Sequence, residues 1–169
     1  GKFKVIQAKK FLLKVNKKIK IDTYKQKIIK KNIRIILDKY DIVCDCSDNF
    51  ETRYLLNDFC LKNKKKLISA AISKFEAHIF NFNFSKKTPC YRCFMPEIPE
   101  KENKCDTEGI LPTVAGIAGT LQANEVVKSI LSINNELVGK MLVFNTLNLN
   151  FRKIKLTKST NCITDCSNR

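Results

Sequence analysis

The chain has 169 residues, of which 44% are apolar and 28% charged, with only 5 Gly and 4 Pro. That length suits one globular domain with a sizeable core, and the composition excludes disordered, collagen-like and Gly-rich classes. The formal charge of +16 invites a nucleic-acid reading, but 27 of the 32 basic residues are Lys, whereas a base reader or phosphate clamp favours the planar fork of Arg.

The Lys excess rises together with Ile and Asn, as an AT-rich codon bias would produce. It therefore reads as solvated faces rather than a nucleic-acid site, and an acidic protein partner fits the same charge. No apolar run approaches the roughly 18–20 residues of a membrane span. Lys2, Lys4, Lys9 and Lys10 interrupt any signal-peptide core. These features point to the reducing cytoplasm, where the 8 Cys are free or metal-bound rather than paired as disulfides.

In chain order, Val5 to Val15 reads as a helix with Val5, Ala8, Leu12 and Val15 on one face and Lys on the other. Ile19, Ile21 and Thr23 alternate as a short strand. Asn32 is placed to cap a helix over Ile33 to Lys39. Tyr40 to Cys46 gives a short apolar strand suited to a parallel sheet. A helix from about Glu51 to Asn63 follows, and then a strand from Leu67 to Ile72. This alternation argues for a parallel sheet with crossover helices. Glu76 to Phe84 alternates as a strand with one buried face, while Ser85 to Glu108 is a polar, irregular excursion. Pro112 to Ile130 reads as a long helix lined by Val114, Ile117, Leu121, Val126 and Ile130, with Gly116 and Gly119 allowing close packing. Met141 to Phe144 and Phe151 to Leu156 read as a closing hairpin. There is no internal repeat or linker, so residues 1–169 read as a single domain.

Three constellations carry chemistry. Cys90-Tyr-Arg-Cys93 and Cys162-Ile-Thr-Asp-Cys166 are two close pairs, spaced so that both thiolates of each pair can face one zinc ion. Their wide separation in sequence makes the site structural, pinning the tail to the mid-chain loop, and Arg92 would help hold the thiolates deprotonated. Cys44, Cys46 and Cys60 instead read as small buried hydrophobes. Asp48 follows a strand and precedes a helix, where a carboxylate suits Mg²⁺ and Asn49 can bond a sugar or phosphate oxygen. Capping of the next helix by Ser47, Asp48 or Asn49 explains the same residues. Cys105, near Lys101 and Lys104, is a candidate nucleophile or a surplus loop thiol. His78, the lone His, reads as a strand residue with a hydrogen-bond partner. No Gly-rich phosphate loop is present.

Together these residues resemble the MoeB/ThiF/HesA family, the ubiquitin-activating-type adenylyltransferases. Gly1-Lys-Phe-Lys4 resembles its G-x-x-K segment. Tyr40 to Asn57, containing Asp-Cys-Ser-Asp48-Asn49 and Arg53, resembles its D-C-x-D-N-x-x-x-R-x-x-x-N block. Pro89-Cys-Tyr-Arg-Cys93, Cys105-Asp-Thr-Glu-Gly109 and Gly119-Thr-Leu-Gln122-Ala-Asn-Glu125 resemble its first zinc pair, crossover loop and following helix.

The resemblance implies a Rossmann-like, mostly parallel α/β sheet with antiparallel C-terminal strands and a structural zinc site. The family's first βαβ portion, with its Gly-rich nucleotide loop, would lie upstream, so this stretch alone is expected to be inactive. It implies ATP-dependent adenylylation of the C-terminal glycine of a small ubiquitin-like sulfur carrier, ThiS- or MoaD-like, in thiamine or molybdenum-cofactor synthesis. Lys4 would contact ATP phosphates, and Asp48 would hold Mg²⁺ and the nucleotide with Asn49. Arg53 is a further candidate catalytic residue. Cys90, Cys93, Cys162 and Cys166 would bind Zn²⁺, although the last pair is C-x₃-C where the family usually has C-x₂-C. Cys105 corresponds to a cysteine that in ThiF-like members links covalently to the carrier. A homodimer is implied, with the helix from Gly116 to Leu131 as its surface. Two other readings fit the architecture. A dinucleotide-dependent oxidoreductase is disfavoured by the zinc pairs, and a non-catalytic carrier-docking partner by Asp48.

Overall fold

The computed structural model describes residues 1–85, 87–98, 109–133, 136–164 and 166. Five strands form one sheet in the order β1-β2-β3-β4-β5. They are β1 (Ile42–Asp45), β2 (Lys66–Ser73), β3 (Glu76–Phe82), β4 (Lys140–Asn145) and β5 (Asn150–Lys155). The helices are α1 (Lys4–Val15), α2 (Ile33–Leu37), α3 (Phe50–Lys62), α4 (Tyr91–Phe94) and α5 (Pro112–Ile130). β1 and β2 run parallel, joined through α3 as a parallel connection requires. The remaining neighbours pair antiparallel. The Rossmann-like class with antiparallel C-terminal strands stands, but among the described residues its parallel share is a single strand pair.

That share is small partly because Ile19, Ile21 and Thr23 form no strand. Residues 16–32 contain no helix or strand, and an alternating segment without a ladder partner gains nothing from extended geometry. Asn32 does not cap α2 through its side chain. Its Oδ1 accepts from the Ile29 N–H at 2.8 Å, and its amide donates to the Lys27 carbonyl at 2.9 Å, closing the turn before the helix. In α1 no residue is buried. Its partly covered positions are Ile6, Lys9 and Leu13, rather than the expected stripe of Val5, Ala8, Leu12 and Val15.

Both faces of the sheet centre are covered, so β3 is not the half-exposed strand its alternation suggested. Phe80 and Phe82 pack with Leu67, Tyr54, Phe59 and Tyr91 under α3 and α4. Ala77 and Ile79 pack with Val114 and Ala118 of α5 on the opposite side. Alternation signals one solvated face only when nothing lies over the polar positions, and here Asn81 is buried beneath α5.

The buried stripe of α5 is Val114, Ala118, Gln122, Glu125 and Ser129; of the apolar set expected, Val114 is buried, Leu121 packs beside it, and Ile117 and Val126 are only partly covered. Val127 and Ile130 point to solvent. Gly116 and Gly119 have open space where a Cβ would sit, so neither enables a close approach here. The polar members of the stripe are held by the sheet. Gln122 Nε2 donates to the carbonyls of Asp45 and Ile68 at 2.9 and 2.8 Å. Asn81 Nδ2 donates to Glu125 Oε2 at 3.0 Å, and the Lys128 ammonium lies 2.6 Å from the other carboxylate oxygen. No helix among the described residues is long and apolar enough to cross a membrane.

Gln122 thus satisfies two buried carbonyls that belong to different strands. Its replacement by Ala is expected to cost about 2–4 kcal/mol, from stranding those acceptors. Urea denaturation measures this directly; a midpoint shift equivalent to less than about 0.5 kcal/mol would show the bonds to be dispensable.

Candidate active site

The site begins where β1 ends. Asp45 is its last residue and is 2% exposed. A buried carboxylate must be hydrogen-bonded or paired, and Asp45 is both. Its Oδ1 accepts from the Ser47 N–H at 2.9 Å and the Ser47 hydroxyl at 2.6 Å. Its Oδ2 accepts from the Ser69 hydroxyl at 2.7 Å. Arg53, from the second turn of α3 and itself 8% exposed, brings Nη1 to 3.4 Å from the same oxygen. The Arg53 guanidinium also donates to Ser69 Oγ at 3.3 Å, to the Ala70 carbonyl at 3.4 Å and to the Ser47 carbonyl. One buried ion pair therefore ties β1, β2 and α3 together at the strand tips.

The chain leaves this clamp through Asp48 and Asn49. The Asn49 side chain is the N-cap of α3, accepting from the Thr52 N–H at 2.9 Å. Its amide donates to Asp48 Oδ1 at 3.1 Å. Of the three capping candidates, the cap falls to Asn49, which leaves Asp48 turned outward and exposed. The Asn49 amide and the backbone N–H of Asp48 itself hold this carboxyl below its ordinary value of 3.8, with help from the charges of Arg53 and Lys4 and against a smaller opposing effect of burial. Asp48 is thus ionised throughout the neutral range.

Asp48, Ser47 and Arg53 line a crevice of about 700 Å³ that opens beyond the carboxyl ends of β1 and β2, where ligands bind in open α/β sheets. Its floor and walls are largely apolar, with Ala70, Ala71, Phe80, Tyr91, Phe94 and Met95 among them. Gln122 and Cys46 close one side, the Cys46 thiol donating to Gln122 Oε1 at 3.1 Å. Glu76 and His78 stand at the far end. His78 has the partner expected of it, Glu76 Oε1 at 2.7 Å.

Lys4 is exposed and does not line the crevice, but its charge is felt at Asp48. Cys44 and Cys46 are exposed, so only Cys60 is the buried thiol expected of all three. Cys44 faces outward from β1, which is an edge strand among the described residues, and Cys46 lies in the turn after β1 at the side of the crevice. Burial pushes the Cys60 thiol up to about 12. Cys105 lies outside the described residues.

Behind the crevice, Cys90, Cys93, Cys162 and Cys166 bring their sulfurs within 4.8 Å of one another. Cys90 Sγ is 3.8 Å from Cys93 and 3.5 Å from Cys162, and Cys93 is 3.4 Å from Cys166. A tetrahedron with zinc–sulfur bonds of about 2.3 Å has edges of about 3.8 Å, so four thiols at this spacing fit one zinc ion. The C-x₃-C spacing of the tail is no obstacle to convergence. Arg92 does not serve the thiolates as expected. Its guanidinium makes a fork onto Asp58, at 2.8 Å to each oxygen, and lies 4.3 Å from the centre of the Tyr54 ring. Asn57, fully buried, accepts the Tyr91 N–H at 2.9 Å. The Tyr54 hydroxyl donates to the carbonyls of Met95 and Glu97 at 2.9 and 3.0 Å. α3 thereby fixes the cysteine knuckle and the aromatic wall of the crevice together.

The sequence analysis gave Asp45, Ser69 and Gln122 no role of their own, although Asp45 and Gln122 fall within the family-like segments. A signal existed for Gln122, which holds a core position of α5 where the helical period calls for an apolar side chain.

A sheet whose strand tips open into one crevice, with a four-cysteine cluster behind it, defines a ligand-binding α/β protein of the Rossmann-like class. Comparison with known proteins makes this specific. The ThiF family model matches residues 1–164, and the chain belongs to the ThiF family. It is 38% identical over 166 residues to the adenylyltransferase and sulfurtransferase MOCS3 of Culex quinquefasciatus, covering 96% of this chain and 38% of that protein. It is 41% identical over 159 residues to the probable molybdopterin-synthase adenylyltransferase of Pyropia yezoensis, covering 92% of this chain and 42% of that protein. The chain thus spans about two-fifths of the length of these relatives. Among solved structures it resembles E. coli MccB, with a TM-score of 0.81 and 22% identity over 100% of this chain and 51% of the other. The MccB–ATP complex gives a TM-score of 0.78 at 21% identity, over 97% of this chain and 51% of the other. At such identity the likeness shows the fold.

The cysteine geometry predicts one zinc per chain by elemental analysis. Cys90→Ser is expected to lose the metal, and chelation to lower the thermal midpoint, because binding energy of a closed site is folding energy. Wild-type protein that is metal-free and equally stable would contradict the assignment.

Proposed function

We propose that the protein containing this chain adenylylates the C-terminal glycine of a small ubiquitin-like sulfur carrier at the expense of ATP. The observation that carries this reading is Asp48, an ionised, outward-facing carboxylate at the mouth of a crevice beyond the strand tips. The names of the relatives, MOCS3 and molybdopterin-synthase adenylyltransferase, support a MoaD-like carrier in molybdenum-cofactor synthesis before a ThiS-like carrier in thiamine synthesis.

In this reading a carboxylate oxygen of the terminal glycine attacks the α-phosphorus of ATP. The bond from that phosphorus to the β-phosphate oxygen breaks, leaving an acyl-adenylate and pyrophosphate. Mg²⁺, when bound, neutralises phosphate charge, and Asp48 suits it as the single protein carboxylate that such an ion needs beside substrate oxygens. Asp45 does not compete, since its oxygens are engaged by Ser47, Ser69 and Arg53. Lys4 adds positive charge felt at Asp48, and Asn49 lowers the Asp48 carboxyl further while capping α3. We assign Arg53 to positioning, because its donors are engaged inside the fold. Catalysis is then placement plus charge neutralisation. Cys105 is the candidate for a covalent link to the activated carrier. The exposed outer face of α5, with Val127 and Ile130, is the surface we assign to a homodimer, and the compartment we assign is the cytoplasm.

Carrier-dependent ATP–pyrophosphate exchange by the full-length protein tests the reading, with MoaD-like and ThiS-like carriers offered in turn. Asp48→Ala is expected to lower exchange by roughly 10²–10³-fold, the scale for losing a charge-stabilising group. A variant exchanging at the wild-type rate would refute the role of Asp48.

A further inference from the structure

The crevice has two polar ends joined by an apolar trough. Ser47, Asp48 and Arg53 form one end, and Glu76 and His78 the other, beside Lys74. The sheet register sets the distance between them. Asp45, at the tip below Asp48, pairs with Ser69, and Ser73 pairs with Glu76. His78 pairs with Ala71, so from the level of Asp45 the two residues of the far end lie two and four residues along β2, roughly 7 and 13 Å at the rise of a strand.

His78 Nε2 lies 2.7 Å from Glu76 Oε1, and the two side chains keep 34% and 36% of their surface open. Their cross-strand neighbours on β2 are Ala71 and Ser73, too small to cover them. An extended peptide laid over a sheet face joins no ladder, so its N–H and C=O groups need partners from elsewhere in the trough. Ala71, Phe80, Phe94 and Met95 offer none from their side chains. A carboxylate accepts peptide N–H groups, and an imidazole beside it supplies a second ring nitrogen.

Resting on the reading above, in which the carrier's C-terminal glycine reaches the Asp48 end of the crevice, and with the residues before it laid extended along the trough, we propose that Glu76 and His78 form a distal clamp. They grip the main chain of the tail about two to four residues before the carboxylate that reacts. They are specificity and positioning residues, setting the affinity for the tail and leaving the chemistry at Asp48 untouched.

The test uses the full-length protein and its carrier. Combining Glu76→Gln with His78→Ala is expected to raise the KM for carrier at least about tenfold. The kcat and the KM for ATP stay within about twofold, and the urea midpoint is unchanged. His78→Gln alone, which keeps a side-chain donor, retains the wild-type carrier KM. Calorimetry with synthetic peptides adds a measurement independent of turnover. A peptide of the last seven carrier residues binds the double variant at least tenfold more weakly than wild type, while one of the last two binds both equally, being too short to reach the clamp. An unchanged carrier KM in the double variant, or equal loss for both peptides, would overturn the clamp. Absence of exchange in the wild type would instead overturn the adenylylation reading, and the peptide measurements would still judge the clamp.

Discussion

The carboxylate of Asp45 is the constraint around which this fold is arranged. Placed at the end of β1 and almost wholly buried, it would cost several kcal/mol if left without partners. Ser47 satisfies it from the next turn, Ser69 from the neighbouring strand and Arg53 from the following helix. Gln122 binds the backbone carbonyl of the same residue and brings in α5. Four elements thus meet at one point. The chain can leave that point only by turning outward, and Asp48 is the residue it turns out. The buried acid is inert and structural, while the exposed acid after it is kept ionised and open to the crevice. Two carboxylates close in sequence are left in opposite settings, one enclosed and one open, because their surroundings differ.

α3 carries this arrangement to the other side of the site. Its first turns hold the strand tip through Asn49 and Arg53. Further along, Tyr54, Asn57 and Asp58 hold the short helix α4, whose Tyr91 and Phe94 wall the crevice. The cysteine cluster anchors α4 from behind, joining Cys90 and Cys93 to the tail at Cys162 and Cys166. Without a metal such a cluster would leave four thiols, two of them only partly buried, with few apolar contacts such as Leu61 and Phe84 around them. The knuckle therefore belongs to the same mechanical unit as the crevice.

Much of this was legible in the sequence. The long helix over residues 112–130, the strand ending in the Asp-Cys-Ser-Asp turn, the closing hairpin and the convergence of the cysteine pairs all followed from local spacing. Local spacing could not reveal which polar residues the core requires. Glu125 and Asn81 look like surface residues in one dimension, the helical period marks Gln122 only as out of place, and the tertiary arrangement under α5 shows why all three are buried. The stripe of α1 and the alternation at Ile19 to Thr23 were misleading for a related reason. Periodicity reports what a segment can bury, not whether a partner is there to bury it. Asn32 showed the same limit on a smaller scale, since a capping residue type can serve either side of its turn.

The central claim is that Asp48 meets the divalent ion that accompanies the nucleotide, and the metal itself can report this. Mn²⁺ in place of Mg²⁺ broadens nearby nuclear resonances steeply with distance. With ATP and Mn²⁺ added to full-length protein carrying ¹³C-labelled aspartate, the carboxyl signal of Asp48 should broaden beyond detection while that of Asp58, on the far part of α3, survives. A sharp Asp48 signal alongside a broadened one elsewhere would place the ion away from the strand tip and contradict the account.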